Sequence, residues 1–263
     1  MRFLIGFLGF VAGVGAATAA DIIPAEGGDI ALTPIRHAHV QVAFGGKVIH
    51  IDPWAGPATF AAGLPAEVRP ADILLITDIH EDHFQPGSID RIRKATTIFV
   101  APSVVARSLR GNIIEMANGD TKIVEGISIQ AVAAYNMERK SLQSGQPYHT
   151  KGRGNAYVLT LGGKRVLFSA DTECVPEIKA LTNIDVAFMA TNLPFTMSPA
   201  EAADCVKAFK PKIVYPYHYQ QPGIQPANKN QLDFAAAMQG TPGIEVRTPN
   251  FYPPVAVAGG RGG

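Results

Sequence analysis

The sequence predicts an α+β fold in which two β-sheets pack together with helices outside. Three observations carry this expectation. Hairpin-like segments come first and alternating helix and strand segments follow. Hydrophobic residues make up 47% of the 263 and charged residues 17%, enough apolar material for a large core. Ionisable side chains gather at the ends of apolar runs, where the loops of a layered fold carry chemistry.

The chain opens with Arg2, an uncharged apolar stretch from Phe3 to Val14, and small residues ending Ala17-Thr18-Ala19-Ala20. This pattern predicts a secretory signal over 1–20, cleaved near Ala19 or Ala20, and an exported, periplasmic or secreted product. The stretch is short and Gly-rich for a membrane anchor, so no stable membrane insertion is expected after cleavage. Residues 21–263 then form one domain. "DIALTPIRHAHVQVAFGGKVIHIDPW" reads as strands broken by a Gly45-Gly46 turn, and "DILLI" as a short buried strand. "PGSIDRIRKA" has Pro and Gly at a helix start and leads into the strand "TTIFVA"; "VARSLRG" reads as a helix stopped by Gly111. "TKIVEGISIQAVAA" and "NAYVLTLGGKRVLFSAD" are two further hairpins, the latter turning at Gly162-Gly163. "VPEIKAL", "IDVAFMA", "SPAEAADCVKAFK", "KIVYPYHY" and "QLDFAAAMQ" then alternate helix and strand. The closing "AGGRGG" reads as a frayed tail, and no sequence repeat is visible.

Charge excludes one class of partner. Of the 23 Lys and Arg only Arg2 lies in the first twenty residues, so the rest balance the 22 Asp and Glu. Such a chain has no electrostatic footprint for nucleic acid. An exported chain could join its two cysteines, although a domain this large needs no disulfide; Cys205, on the apolar face of "PAEAADCVKAF", reads as core packing, and Cys174, close to Asp171, as a small buried residue in preference to a site residue.

The chemistry concentrates in "ILLITDIHEDHF", where a buried strand ends in Asp78, His80, Asp82 and His83. His149 stands in "PYHTKGRGN", Asp171 closes "RVLFSAD", and His218 closes "IVYPYHY". Carboxylate mixed with imidazole suits catalytic zinc, manganese or iron, whereas structural zinc favours cysteine.

"TDIHEDH" resembles the H-x-H-x-D-H motif of the metallo-β-lactamase superfamily, and the wider pattern is similar to its lactonase-like branch. The similarity runs through "IRHAHVQVAFGGKVIHIDPW", "ITDIHEDHF", "YHTKGRGNAYVLTLGGKRVLFSADTE", "TNLPFTMSPAEAA" and "KPKIVYPYHY", in the family's order. It implies a four-layer αββα sandwich with two divalent metal ions at its edge, zinc foremost, manganese or iron as alternatives. His80 then belongs to the first metal, with His149 as its further candidate ligand. Asp82, His83 and His218 belong to the second, and Asp171 bridges. Asp82 and His37, the latter in a segment like the family's G-H-A, are the candidate catalytic residues; His37 either touches ligands or substrate, or simply packs. Asp52, in "IDPW", matches a position able to orient a ligand histidine.

Three positions depart from the family. Asp78 replaces the motif's first histidine, Asn136 stands where a histidine is frequent, and Ala170 replaces a glycine. With Asp78 as a ligand, three carboxylates and a hydroxide neutralise two divalent ions, where a histidine would leave one positive charge. A neutral centre withdraws less charge from its water. His39 and His50 read as structural, and Trp54 as either a mouth or a core residue. Arg139, Lys140, Lys151 and Arg153 make the loop around His149 basic, either to receive an anionic substrate or as a solvated surface. The expected activity is metal-dependent hydrolysis of a small ester or lactone. Phosphodiester or β-lactam hydrolysis, and metal binding without catalysis, are the alternatives.

Overall fold

The computed structural model describes residues 20–56, 64, 67–220 and 228–252. The signal predicted over 1–20, residue 20 apart, and the "AGGRGG" tail lie outside the described residues.

The first sheet holds β1 (Asp21–Ile23), β2 (Ile30–Arg36), β3 (His39–Phe44), β4 (Lys47–Ile51), β5 (Ala71–Leu75), β6 (Arg93–Ala101) and β7 (Asn112–Glu115), in that spatial order. The second holds β8 (Thr121–Val124), β9 (Ile127–Ala134), β10 (Gly154–Leu161), β11 (Lys164–Phe168), β12 (Val186–Ala190), β13 (Ile213–Tyr217) and β14 (Glu245–Val246), again neighbour to neighbour. In each sheet four antiparallel strands precede three added in parallel. The topology is therefore duplicated although the sequence shows no repeat: pairing depends on apolar alternation and turns, which many sequences satisfy.

Between the sheets Val40, Ile49, Ile51 and Leu75 meet Tyr157, Phe168, Phe188 and Tyr215, all buried. Outside the first sheet lie α1 (Pro86–Ile92) and α2 (Ser103–Ala106), whose Ile89, Ile92 and Val105 cover Leu74 and Phe99. Outside the second lie α3 (Pro176–Lys179), α4 (Pro199–Phe209) and α5 (Lys229–Ala237), covering Val158, Leu167, Met189 and Val214 with Ile178, Val206 and Phe234. This is the expected αββα sandwich. Helix α4 shows why the local sequence folds as it does. Pro199 presets its first turn, and Ser198 and Glu201 form a reciprocal capping box.

Local differences have local causes. The helix expected to reach Ala95 stops at Ile92, because β6 begins at Arg93 and Thr97 bonds to Ala71 O at 2.6 Å. "VARSLRG" keeps helix only as far as Ala106. The cysteine reading is corrected: Cys174 and Cys205 are joined by a disulfide. The buried face of α4 carries Cys205 against the loop after β11, where Cys174 is only partly buried.

Strands β4, β5 and β6 are parallel, as are β11, β12 and β13, so their C-terminal ends collect at shared edges. Asp52, Asp78, Asp171, Asn192 and His218 all follow such ends. The His218 amide donates to His37 O at 3.2 Å, joining the two sheets beside the site.

Candidate metal centre

Asp82, His83, Asp171 and His218 converge. His83 Nε2 lies 3.4 Å from Asp171 Oδ2 and 3.9 Å from Asp82 Oδ2. His218 Nε2 lies 3.4 Å from Asp82 Oδ2 and 3.5 Å from Asp171 Oδ1. Each imidazole is turned by a partner on its far nitrogen. His83 Nδ1 donates to Asp52 Oδ2 at 2.8 Å, and Asp52 is itself held by Thr77 N and Oγ1 at 2.8 and 2.6 Å. The Asn192 amide lies 3.0 Å from His218 Nδ1 while Asn192 Oδ1 is buried without a partner. With the oxygen turned to accept the Nδ1 proton, His218 Nε2 keeps its lone pair. Asp52 and His218 adopt left-handed backbone conformations, φ 46° and 48°, which aim them off the strand ends.

Whether a metal fits can be judged from the donors. His83 Nε2, His218 Nε2 and Asp171 Oδ1 are buried and unpartnered, an arrangement that is costly unless something accepts their lone pairs. A divalent ion does so, and this second subsite fits one. The carboxylates respond to the imidazoles around them. Burial opposes ionisation of Asp171, yet His218 and His83 hold it well below the usual carboxylate range. Burial likewise opposes a charge on His83, yet Asp171, Asp82 and Asp52 raise it.

The first subsite differs. His149 Nε2 lies 3.2 Å from Asp171 Oδ2 and 3.8 Å from Asp78 Oδ2, and His80 Nδ1 is 3.0 Å from Asp78 Oδ2. Asp78, His80 and His149 thus form a second possible ligand group. Asp78 is also gripped by Arg153, Nε on Oδ1 at 3.1 Å and Nη2 on Oδ2 at 2.7 Å. Arg153 supplies next to Asp78 the positive charge that replacing a histidine removes, so the neutral centre expected from sequence gains a cation. Asn136 orients rather than joins the set: its Oδ1 accepts from His149 Nδ1 and from the His149 amide, each at 2.8 Å.

His37 sits beside the second subsite. Its Nε2 is 3.0 Å from Asp82 Oδ2, and its Nδ1 is 2.6 Å from the Tyr252 hydroxyl, which accepts from Gln220 N. Tyr252 therefore donates to Nδ1, and His37 donates from Nε2 to Asp82. Burial, with neighbouring His218, lowers the His37 pKa to about 4, so the ring is neutral. Trp54, partly buried, lies against it with ring centres 4.8 Å apart. His39 and His50 stand apart as a buried pair: His50 Nε2 donates to Arg69 O at 2.9 Å, and His39 Nε2 lies 2.9 Å from His50 Nδ1.

A cleft of about 490 Å³ opens onto the centre, lined by His80, Asp82, His149, Arg153, Asp171 and Asn192, with Ser141, Ser144, Tyr148 and Phe195 beyond. Tyr148 and Phe195 meet edge to face at 5.0 Å between ring centres. Four contributors escaped sequence reasoning. Tyr252 lies far from any motif, Asn192 stands in the matched block "TNLPFTMSPAEAA" without a role given to it, and Arg153 was visible only as loop charge. Glu173 had a signal, standing two residues after Asp171. Buried, it accepts from the amides of Met137, Glu138 and Arg139 at 2.7–3.0 Å and from Asn136 Nδ2 at 3.2 Å, shaping the start of the long loop.

An αββα sandwich with a His/Asp metal centre at its strand ends defines a metal-dependent hydrolase of the metallo-β-lactamase fold. Residues 31–218 match the family model of the beta-lactamase superfamily domain, and the chain belongs to that family. Among curated proteins it is similar to a UPF0173 metal-dependent hydrolase of Thermococcus onnurineus, 33% identical over 70% of this chain and 82% of the relative. One from Thermococcus kodakarensis is 34% identical over 66% of this chain and 78% of the relative. Among solved structures, a protein of Parabacteroides distasonis assigned as a metal-dependent hydrolase superposes with a TM-score of 0.74. It is 33% identical, over 88% of this chain and 97% of the other.

Proposed function

We propose that this metal-dependent hydrolase acts on a small uncharged ester or lactone, as in the lactonase-like branch, from a centre with two metal subsites. The observation that carries this is the cleft's charge. Among its described lining residues Arg153 is the one Lys or Arg, and it is committed to Asp78. Elsewhere on the loop Arg139 pairs with Glu201 and Lys151 with Glu177. Beyond the centre the cleft wall, with Ser141, Ser144, Tyr148 and Phe195, is uncharged, which suits the body of an ester or lactone whether or not Arg153 stays on Asp78.

A divalent metal bound among these ligands polarises a carbonyl and makes water nucleophilic near neutral pH; zinc suits the set, and the carboxylate share also admits manganese or iron. Asp82 lines the cleft and accepts a hydrogen bond from the attacking water. His37 holds the Asp82 carboxylate in place, and Tyr252 keeps the His37 proton on Nε2. Tyr148 and Phe195 receive the apolar part of the substrate.

Assays of chromogenic esters, lactones, phosphodiesters and a cephalosporin, with and without chelator, test this reading. Ester or lactone turnover abolished by chelation is expected. Preference for phosphodiester or β-lactam overturns it, and metal binding with no turnover identifies a non-catalytic binder. The same reading places the protein outside the cytoplasm, supported by the N-terminal pattern and the Cys174–Cys205 bond. Mass analysis of the periplasmic fraction should find a chain starting near residue 20 with no free thiol. A chain retaining Met1 in the cytoplasm refutes export.

A further inference from the structure

The two subsites differ in a way the ligand types alone do not show. In the second, three ligand atoms are buried with nothing to bind them, as described above. In the first, the corresponding atoms of Asp78 and His80 are already engaged. Arg153 spans both Asp78 oxygens, its Nη2 lies 3.3 Å from His80 Nε2, and His80 Nδ1 lies 3.0 Å from Asp78 Oδ2. These contacts form a closed ring of three side chains.

Donor and acceptor roles make the ring exclusive. A guanidinium only donates, so the nitrogen of His80 facing it must be the acceptor. The His80 proton then sits on Nδ1, 3.0 Å from Asp78 Oδ2. In that tautomer Nδ1 carries the proton, and the Nε2 lone pair faces the guanidinium rather than a metal. Binding a metal through Nδ1 would shift the proton to Nε2, where it would point at another donor 3.3 Å away.

The backbone holds Arg153 at this place. Asn155 N donates to Thr77 O at 3.0 Å, and a Cβ on Gly154 would come within 3.0 Å of the same carbonyl. A side chain at 154 would crowd that carbonyl, so glycine suits the close approach of the start of β10 to the end of β5, and the next residue back is Arg153. Asp78 is buried, whereas 45% of the His80 side chain is exposed.

We propose that Arg153 is an internal competitor for the first metal, a covalently tethered cation that occupies the Asp78–His80 half of the first subsite. The second subsite therefore fills first. The first accepts a divalent ion only when Asp78 and His80 exchange the guanidinium for it. This deepens the two-subsite reading above and rests on it.

Calorimetric titration of the full chain with zinc alone, backed by elemental analysis, tests the proposal. The wild type should show one tight equivalent and a second weaker by ~10-fold or more, the scale on which partners of metal ligands act. Arg153→Met keeps the apolar stem and removes the donors. It should strengthen the weak equivalent by ~10-fold and leave the tight one within ~2-fold. Two equally tight equivalents in the wild type overturn the proposal, as does an Arg153→Met protein whose second equivalent is unchanged or weaker. Nitrogen NMR of the wild type with one equivalent of zinc gives a readout independent of any variant. His80 should be protonated on Nδ1, and a proton on Nε2 instead overturns the competition. Should zinc not bind at all, it is the metal-dependent reading that fails, a different result from two equal sites.

Discussion

The strands β1–β7 and β8–β14 repeat one topology but furnish the centre in different ways. The correspondence extends to single hydrogen bonds. After β4, the Asp52 amide donates to Leu75 O at 2.9 Å; after β11, the Ser169 amide donates to Phe188 O at 3.0 Å. At this shared station the first half places a carboxylate that orients His83, and the second places a hydroxyl that accepts from Ala190 N at 3.1 Å. The second half's carboxylate, Asp171, comes two residues later and enters the centre itself. The hairpins differ more. A tight turn joins β2 to β3 and fixes His37 on Asp82, whereas the long β9–β10 loop brings His149, Arg153 and one wall of the cleft. A duplicated frame thus sets where ligands can stand, and loop length and side-chain choice decide what each position does.

The comparison breaks most visibly at Asp171. Asp171→Ala should strip metal from the centre and lower kcat/KM by ~10³-fold or more, measured by elemental analysis and ester turnover. Retained metal would mean the remaining ligands hold it without Asp171. The shared station gives the next test. Asp52→Asn should weaken metal binding ~10–100-fold through loss of the His83 partner, while Ser169→Ala should leave it within ~2-fold. Equal losses in a metal titration would assign the effect to the backbone position rather than the carboxylate. On the long loop, His149→Ala should cost more than Asn136→Ala, yet the latter should still cost about tenfold, because Asn136 fixes the ring of His149. An unchanged titration for Asn136→Ala would leave that hydrogen bond without consequence.

The last comparison, read in stability rather than metal binding, concerns a difference away from the centre. His50 pairs with Gln41 across β3–β4, where the second half has Leu167 opposite Val158. Burial lowers the His50 pKa to about 4, and burial with His50 beside it also holds that of His39 well below the usual imidazole range. Between about pH 4 and 6.5 the unfolded chain binds protons that the folded pair refuses. Stability contributed here is present above pH 6.5 and lost as pH falls toward 4, on the order of 2–3 kcal/mol for His50. Denaturant unfolding of the metal-free protein across that window should show the slope. His50→Leu, copying the second half, should reduce it, leaving the share that His37 and His39 contribute. An equal slope in the variant would place the titration elsewhere.

Much of this was written locally. Apolar alternation and Gly-Gly turns specify the hairpins, because a one-residue slip would expose a whole face. "TDIHEDH" carries five ionisable groups on six consecutive positions, and one short loop needs no fold to bring them together. Asp171, His149 and His218 could be placed only by their resemblance to a family pattern, since their meeting depends on strands distant in sequence. The rest was decided by tertiary structure. Nothing near Tyr252 in the chain announces that it would fix His37, 215 residues away. The two cysteines read as packing because their bond required α4 to dock beside the loop after β11. Asp78 read as a substitution that lowers the charge of the centre, and only the close approach of β10 to β5 brings back a cation, Arg153. A sequence states which groups are available for chemistry. Which of them compensate, orient or compete is set by distances of about three ångströms between residues far apart in the chain, and packing alone creates those.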